Sequence, residues 1–175
     1  NKTPVQGQIK ILRDITHYIS EEIGAKNLDV PQIWFSIENN TLGEAALVVI
    51  DDLGEEQFNG VFLSETKKHG NARRFRKGFN TTHKSKLLSC SRLKNLIETD
   101  KIEIRSKNLI SELKTYIARG QSYAAKDGET DDLVAATLLI IRMSYEVRQW
   151  DSGLFDRLKD DIDSEQDMPM PFIML

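Results

Sequence analysis

Cysteine is all but absent from this chain: Cys90 stands alone among 175 residues. No disulfide can form within the chain, so the fold has to be held by its core. A reducing cytoplasm is the expected setting. The histidines, His17, His69 and His83, are scattered and have no cysteine partners at zinc-ligand spacing. No apolar run approaches the roughly 20 residues needed to span a bilayer. No secretory apolar segment with a cleavage site stands at the start. No glycine-rich loop ending in Lys-Ser or Lys-Thr is present, so an NTPase phosphate loop is not encoded within these residues. Charge of one sign is locally missing too: from Lys67 to Lys86 there is no Asp or Glu. The opening Asn1-Lys2-Thr3-Pro4 lacks Met and reads as the interior of something longer.

What is present fits one compact domain over residues 1–150, followed by an acidic, weakly ordered tail over 151–175. The formal net charge of -3 argues against a general nucleic-acid binder. The distribution argues otherwise. The acid-free window holds Lys67, Lys68, Arg73, Arg74, Arg76, Lys77, Lys84 and Lys86, and the tail from Asp151 to Asp167 is the counterweight. A local basic stretch matters more to a phosphate backbone than the whole-chain sum. Arg73, Arg74, Arg76, Lys77, Lys84 and Lys86 are therefore the candidate DNA contacts, with a solvated loop as the plain alternative. Phe75 and Phe79 are candidates for base stacking, a core role being the alternative for at least one. The closing Phe172-Ile173-Met174-Leu175 is a candidate for docking on a partner or on the chain itself.

Helix and strand patterns alternate. Ile9, Leu12, Ile15, Ile19 and Ile23 recur at helical spacing, predicting a helix over Val5 to Ile23 that closes at Gly24. Gln32 to Glu38 is β-branched and aromatic, as a buried strand would be. A helix over Leu42 to Glu56, capped by Asn40 or Thr41, precedes a short strand at Gly60 to Leu63. Further helices are predicted over His83 to Glu98, Asn108 to Ala118 and from Asp131 to Tyr145 or beyond. Strands are predicted at Lys101 to Ile104 and Gln121 to Ala125, with a turn at Gly128-Glu129-Thr130. This order implies an α/β domain with a mixed, mostly parallel sheet flanked by helices.

Two acidic positions draw attention. Glu38 ends a predicted buried strand, and active sites of open α/β sheets gather at that edge. A strand-end carboxylate reaching water is the ordinary alternative. Asp131 and Asp132 open an apolar helix, where an aspartate ordinarily caps amides and complements the dipole. One cap is enough, so the second acid is less easily explained. Consecutive helical residues point about 100° apart, so only one of the pair can face a given ion squarely. Mg²⁺ and Mn²⁺ take oxygen ligands, commonly one or two carboxylates plus substrate phosphate.

At this point the motifs become familiar. Ile37-Glu38-Asn39-Asn40-Thr41-Leu42-Gly43 resembles the strand-end motif of the large terminase subunit of tailed phages, the myovirus type above all. Thr81-Thr82-His83-Lys84-Ser85-Lys86 looks like that family's Thr- and Lys-containing segment before a helix. Ser91 to Glu98 is similar to its Leu-Lys-x-Leu-Ile-Glu stretch. Asp127-Gly128-Glu129-Thr130-Asp131-Asp132-Leu133-Val134 resembles its signature Gly-x-His-Asp-Asp-Leu-Val, with Thr130 in place of the His. The motifs keep the family's order from about Ile33 to Ile140.

The resemblance implies a ribonuclease H-like nuclease that cuts concatemeric viral DNA during genome packaging, using an acidic triad and a two-ion Mg²⁺ or Mn²⁺ site. Glu38 matches the second acid and Asp132 the third, with Asp131 close behind. The first acid belongs to a strand upstream of the first helix, so it and the first strands are expected outside this chain, which leaves part of a site. The ATP-driven packaging domain is likewise expected outside it. Implied partners are double-stranded viral DNA, the portal and the small terminase subunit, with no membrane, in the host cytoplasm. Two rivals remain: a non-catalytic DNA-binding or assembly module of the same fold, and another enzyme on that fold, such as a resolvase or integrase.

Overall fold

The computed structural model describes residues 3–26, 32–65 and 77–150. The first helix, α1, runs over Val5–Gly24. Its apolar stripe places Ile9 in the core beside Val5 and Leu12. A short strand β1, Trp34–Phe35, is followed by helix α2, Thr41–Leu53, and a single 3₁₀ turn at Glu55–Gln57. Strand β2, Val61–Phe62, pairs in parallel with β1, Trp34 opposite Val61 and Phe35 opposite Phe62. A parallel pair needs a crossover, and α2 supplies it.

Alternation along these strands builds two cores. Phe35 and Phe62 turn toward α1 and α2, where Phe35 stacks on Phe58 with ring centroids 4.9 Å apart and Ile9, Ala46 and Ile50 close the cluster. Trp34, Leu63 and Phe79 turn the other way and pack on Leu139, Met143 and Val147 of helix α5, Asp132–Trp150. Helices thus cover both faces, the arrangement expected of an α/β unit.

Helix α3, His83–Glu98, opens on a reciprocal capping box. Thr82 Oγ1 accepts from the Ser85 amide at 3.1 Å and Ser85 Oγ from the Thr82 amide at 2.9 Å. Its Leu93 packs with Val134, Leu138 and Ile141 of α5 in a third cluster. Helix α4, Lys107–Thr115, is capped by Ser106 and runs straight into an antiparallel hairpin, β3 Tyr116–Arg119 and β4 Ser122–Ala125. Gly120, at φ 58, supplies the left-handed turn of its two-residue loop.

Three expectations are corrected. The sheet is smaller than predicted: the described residues form two separate two-stranded sheets, one parallel and one antiparallel. Lys101 to Ile104 forms no strand. Its alternating isoleucines read as strand, but no partner ladder lies beside it, and Ile102 is held by packing on the helical cluster. The helix predicted over Asn108 to Ala118 stops at Thr115. Tyr116 there stacks on Tyr123 across the hairpin, with centroids 6.1 Å apart. The tail over 151–175, with its closing Phe172 to Leu175, lies outside the described residues, as do Arg73, Arg74, Phe75 and Arg76.

Candidate functional site

The parallel ladder runs past β1 to Glu38. The carbonyls of Ile33, Phe35 and Ile37 accept in turn from the amides of Val61, Leu63 and Phe79, at 2.8, 2.9 and 3.0 Å. Alternate residues of an extended chain turn their hydrogen-bonding groups to the same edge. The edge paired first by β2 is therefore handed on to Phe79, and Glu38 bridges Phe79 in parallel. The described residues that follow Leu63 and precede Phe79 are tied to each other. The Glu65 amide donates to the Gly78 carbonyl at 3.1 Å, and the Gly78 amide to Ser64 Oγ at 3.1 Å. The basic window thus rejoins the sheet beside Glu38.

Two glycines make the strand end possible. A Cβ on Gly43 would sit 1.8 Å from the Glu38 carbonyl oxygen, so the first turn of α2 abuts the Glu38 backbone only because nothing is there. Gly78 holds φ 74, and a Cβ on it would come within 2.5 Å of the Ile37 carbonyl. Asn40, one of the two predicted caps, accepts from the Gly43 amide at 2.9 Å and turns the chain from Glu38 into α2. Asn39 Nδ2 donates to the Lys77 carbonyl at 2.9 Å, a further tie to the strand end.

The second acid arrives on α5. Asp131 immediately precedes that helix, and its carbonyl accepts from the Ala135 amide at 2.8 Å. Glu38 and Asp131 line one cavity of about 170 Å³, together with Thr81, Lys86, Ser89, Ala135, Leu138, Leu139 and Arg142. The sequence ranked Asp132 above Asp131. Asp132 is instead the first residue of α5, exposed, and it does not line the cavity. Of the acids proposed from sequence, the fold brings Glu38 and Asp131 together. Among the described residues, no three His, Cys, Asp or Glu side chains gather closely enough to hold an ion by themselves. The donor chemistry of Glu38 and Asp131 nonetheless suits a hard divalent cation: two acidic residues from separate elements that line one cavity.

The basic residues sort into distinct positions. Lys86, one turn into α3, lines the cavity with its ammonium 5.6 Å from the centre of the Tyr116 ring. Lys84 is exposed on the same first turn. Lys77 is bound to Asp51 and, at 2.6 Å, to Glu55, so its charge is matched by α2 and the turn after it. These two carboxylates raise its pKa. Tyr116 and Cys90 face each other beside Lys86. Burial pushes the Cys90 thiol up and holds the Tyr116 phenol well above its ordinary range, with the negative charge of Asp131 adding to the latter.

Sequence reasoning passed over two residues. Arg142 is buried on α5. It donates to Glu65 Oε1 at 2.9 Å, the Asn80 carbonyl at 3.0 Å and Thr81 Oγ1 at 3.2 Å, and its guanidinium lies over the Phe79 ring. A lone cation inside an apolar helical run was the signal available. Glu112 of α4 accepts from the Leu133 and Val134 amides at 2.8 and 3.1 Å, and from Thr130 Oγ1 at 3.2 Å. No local pattern marks it, because capping rules read neighbours in sequence and this cap comes from another helix. No protein-family model matches the chain.

Proposed function

We propose that this chain belongs to a metal-dependent endodeoxyribonuclease of ribonuclease H-like fold, acting as the DNA-cutting part of a phage terminase large subunit. One observation carries the reading: Glu38 and Asp131 sit in motifs far apart in sequence yet line one cavity at the carboxyl edge of the parallel strands. The order of the terminase-like motifs supports it, as does the basic window that rejoins the sheet beside Glu38. Glu38 and Asp131 would hold Mg²⁺ or Mn²⁺, with a further carboxylate supplied by the strand that the resemblance places upstream. A pair of such ions, typically ~3.5–4 Å apart, activates water and stabilises the leaving oxygen of a phosphodiester. Lys86, a cation in the same cavity, offers its ammonium to a phosphate oxygen. Arg142, already committed to Glu65, Asn80 and Thr81, holds the cavity wall instead. Double-stranded viral DNA is the substrate in this reading; the portal, the small subunit and an ATP-binding domain are its wider setting.

In the full-length protein, Glu38→Gln and Asp131→Asn each lower Mn²⁺-dependent cutting of linear double-stranded DNA by roughly 10²–10³-fold or more, the scale of losing one group that stabilises transition-state charge. Circular dichroism of both variants stays that of the parent. Cutting retained by Glu38→Gln sinks its role. Salt-sensitive DNA binding without any metal-dependent cutting would hand the chain to the binding-module reading.

A further inference from the structure

Asp131 occupies the N-cap position of α5, where an aspartate ordinarily turns its carboxylate back onto the amides two and three residues into the helix. Those amides belong to Leu133 and Val134, and both are already taken by Glu112 Oε2, at 2.8 and 3.1 Å. The other oxygen of the same carboxylate accepts from Thr130 Oγ1 at 3.2 Å. Glu112 therefore grips the chain on both sides of Asp131 while doing the job Asp131 is built to do. The Asp131 carboxylate, relieved of capping, is left to the cavity it shares with Glu38.

We propose that Glu112 is a positioning residue: by capping α5 from α4, it keeps the Asp131 carboxylate off its own helix and directed to the cavity. The part of this proposal that concerns the cavity rests on the two-carboxylate reading given above. The exchange of caps does not, and it has a signature that a simple structural contact lacks. If Glu112 is removed, Asp131 folds back and caps α5 in its place, so stability is largely self-rescued while the cavity loses an acid. If Asp131 is truncated alone, Glu112 still caps. Only loss of both leaves the two amides bare.

The test is a double-mutant cycle with Glu112→Ala, Asp131→Ala and the pair, read by thermal unfolding of this chain, alongside Mn²⁺ binding to the full-length protein followed by electron paramagnetic resonance. Each single change is expected to move the midpoint little, and the pair to lower it by about 2–4 °C beyond their sum, the shift that loss of one cap gives a domain of this size. Glu112→Ala is expected to weaken Mn²⁺ binding about tenfold, and Glu112→Gln, which keeps an acceptor, to restore most of it. Additive midpoints overturn the exchange of caps. Mn²⁺ affinity unchanged in Glu112→Ala, beside clear coupling, overturns the positioning role. Coupling beside a full-length wild type that binds no Mn²⁺ supports the exchange and overturns the metal reading of the cavity instead.

Discussion

Cys90 shows how a single residue takes its chemistry from its neighbours. Its thiol is half-buried on α3 against Tyr116, and burial raises its pKa above the ordinary 9.0. Tyr116 is raised above its ordinary 10.0 by the same cause. A folded-state pKa above the unfolded value means that the native chain holds the proton more tightly. Stability from these groups is whole below the unfolded values and falls as pH climbs through the folded ones. The unfolding midpoint should therefore decline from about pH 9 upward, and Cys90→Ser should flatten the first part of that decline. Alkylation of Cys90 in the native protein at neutral pH should be slower than in urea, since the thiolate is the nucleophile. A native rate equal to the unfolded one would refute the burial argument. Composition already set Cys90 apart as unpaired, but its environment was invisible until α3 met the hairpin. The choice between Asp131 and Asp132 was equally closed to sequence. Helical geometry said that only one could face a given ion squarely, and the fold puts Asp131 in the cavity lining and Asp132 outside it.

Among elements, α5 does the most. Its apolar length was plain from Leu133, Val134, Leu138 and Ile141, and its start fell within a residue of the expectation. What periodicity could not assign was the buried Arg142. Arg142 ties α5 to Glu65 and to Asn80 and Thr81, which lead into α3. Arg142→Met leaves the Glu65 carboxylate and the Asn80 carbonyl without their donor, and should cost about 3 kcal/mol in urea denaturation, the lower end for breaking a buried pair because Glu65 keeps some solvent. Glu65→Gln should cost less, since Arg142 retains two other acceptors. Equal costs would argue that the pair is not the main bond of this tie. The strand expected at Lys101 to Ile104, which does not form, carries the complementary lesson. Alternating isoleucines specify a face, whereas a strand exists only where a neighbour completes its hydrogen bonds.

At the scale of the whole molecule the charge pattern resolves into parts with different work. Lys77 is neutralised in place by Asp51 and Glu55, whereas Lys84 is exposed and Lys86 looks into the cavity. Backbone contact releases counterions in proportion to the phosphates neutralised. Lys84→Ala should thus lower the slope of log affinity against log salt by about one unit, while Lys77→Ala should leave it unchanged. Fluorescence anisotropy with labelled duplex DNA at several salt concentrations measures both. Equal effects from the two would mean that the ion pairs of Lys77 open on binding.

The sequence by itself determined the helices that carry a clean period, the α/β order, the choice of Asn40 or Thr41 as a cap, the lone cysteine and the acid-free basic window. Each of these is written in residues near one another along the chain. It also marked Glu38 and the Asp131-Asp132 pair, from their places at a strand end and a helix start. Only the tertiary structure decided that Glu38 and Asp131 share a cavity, that Lys77 is spoken for, that Arg142 lines that cavity, that Glu112 caps α5, and that Lys101 to Ile104 forms no strand. These depend on contacts between segments brought together by burial, and the relative placement of distant elements leaves no local trace in the residues that make them.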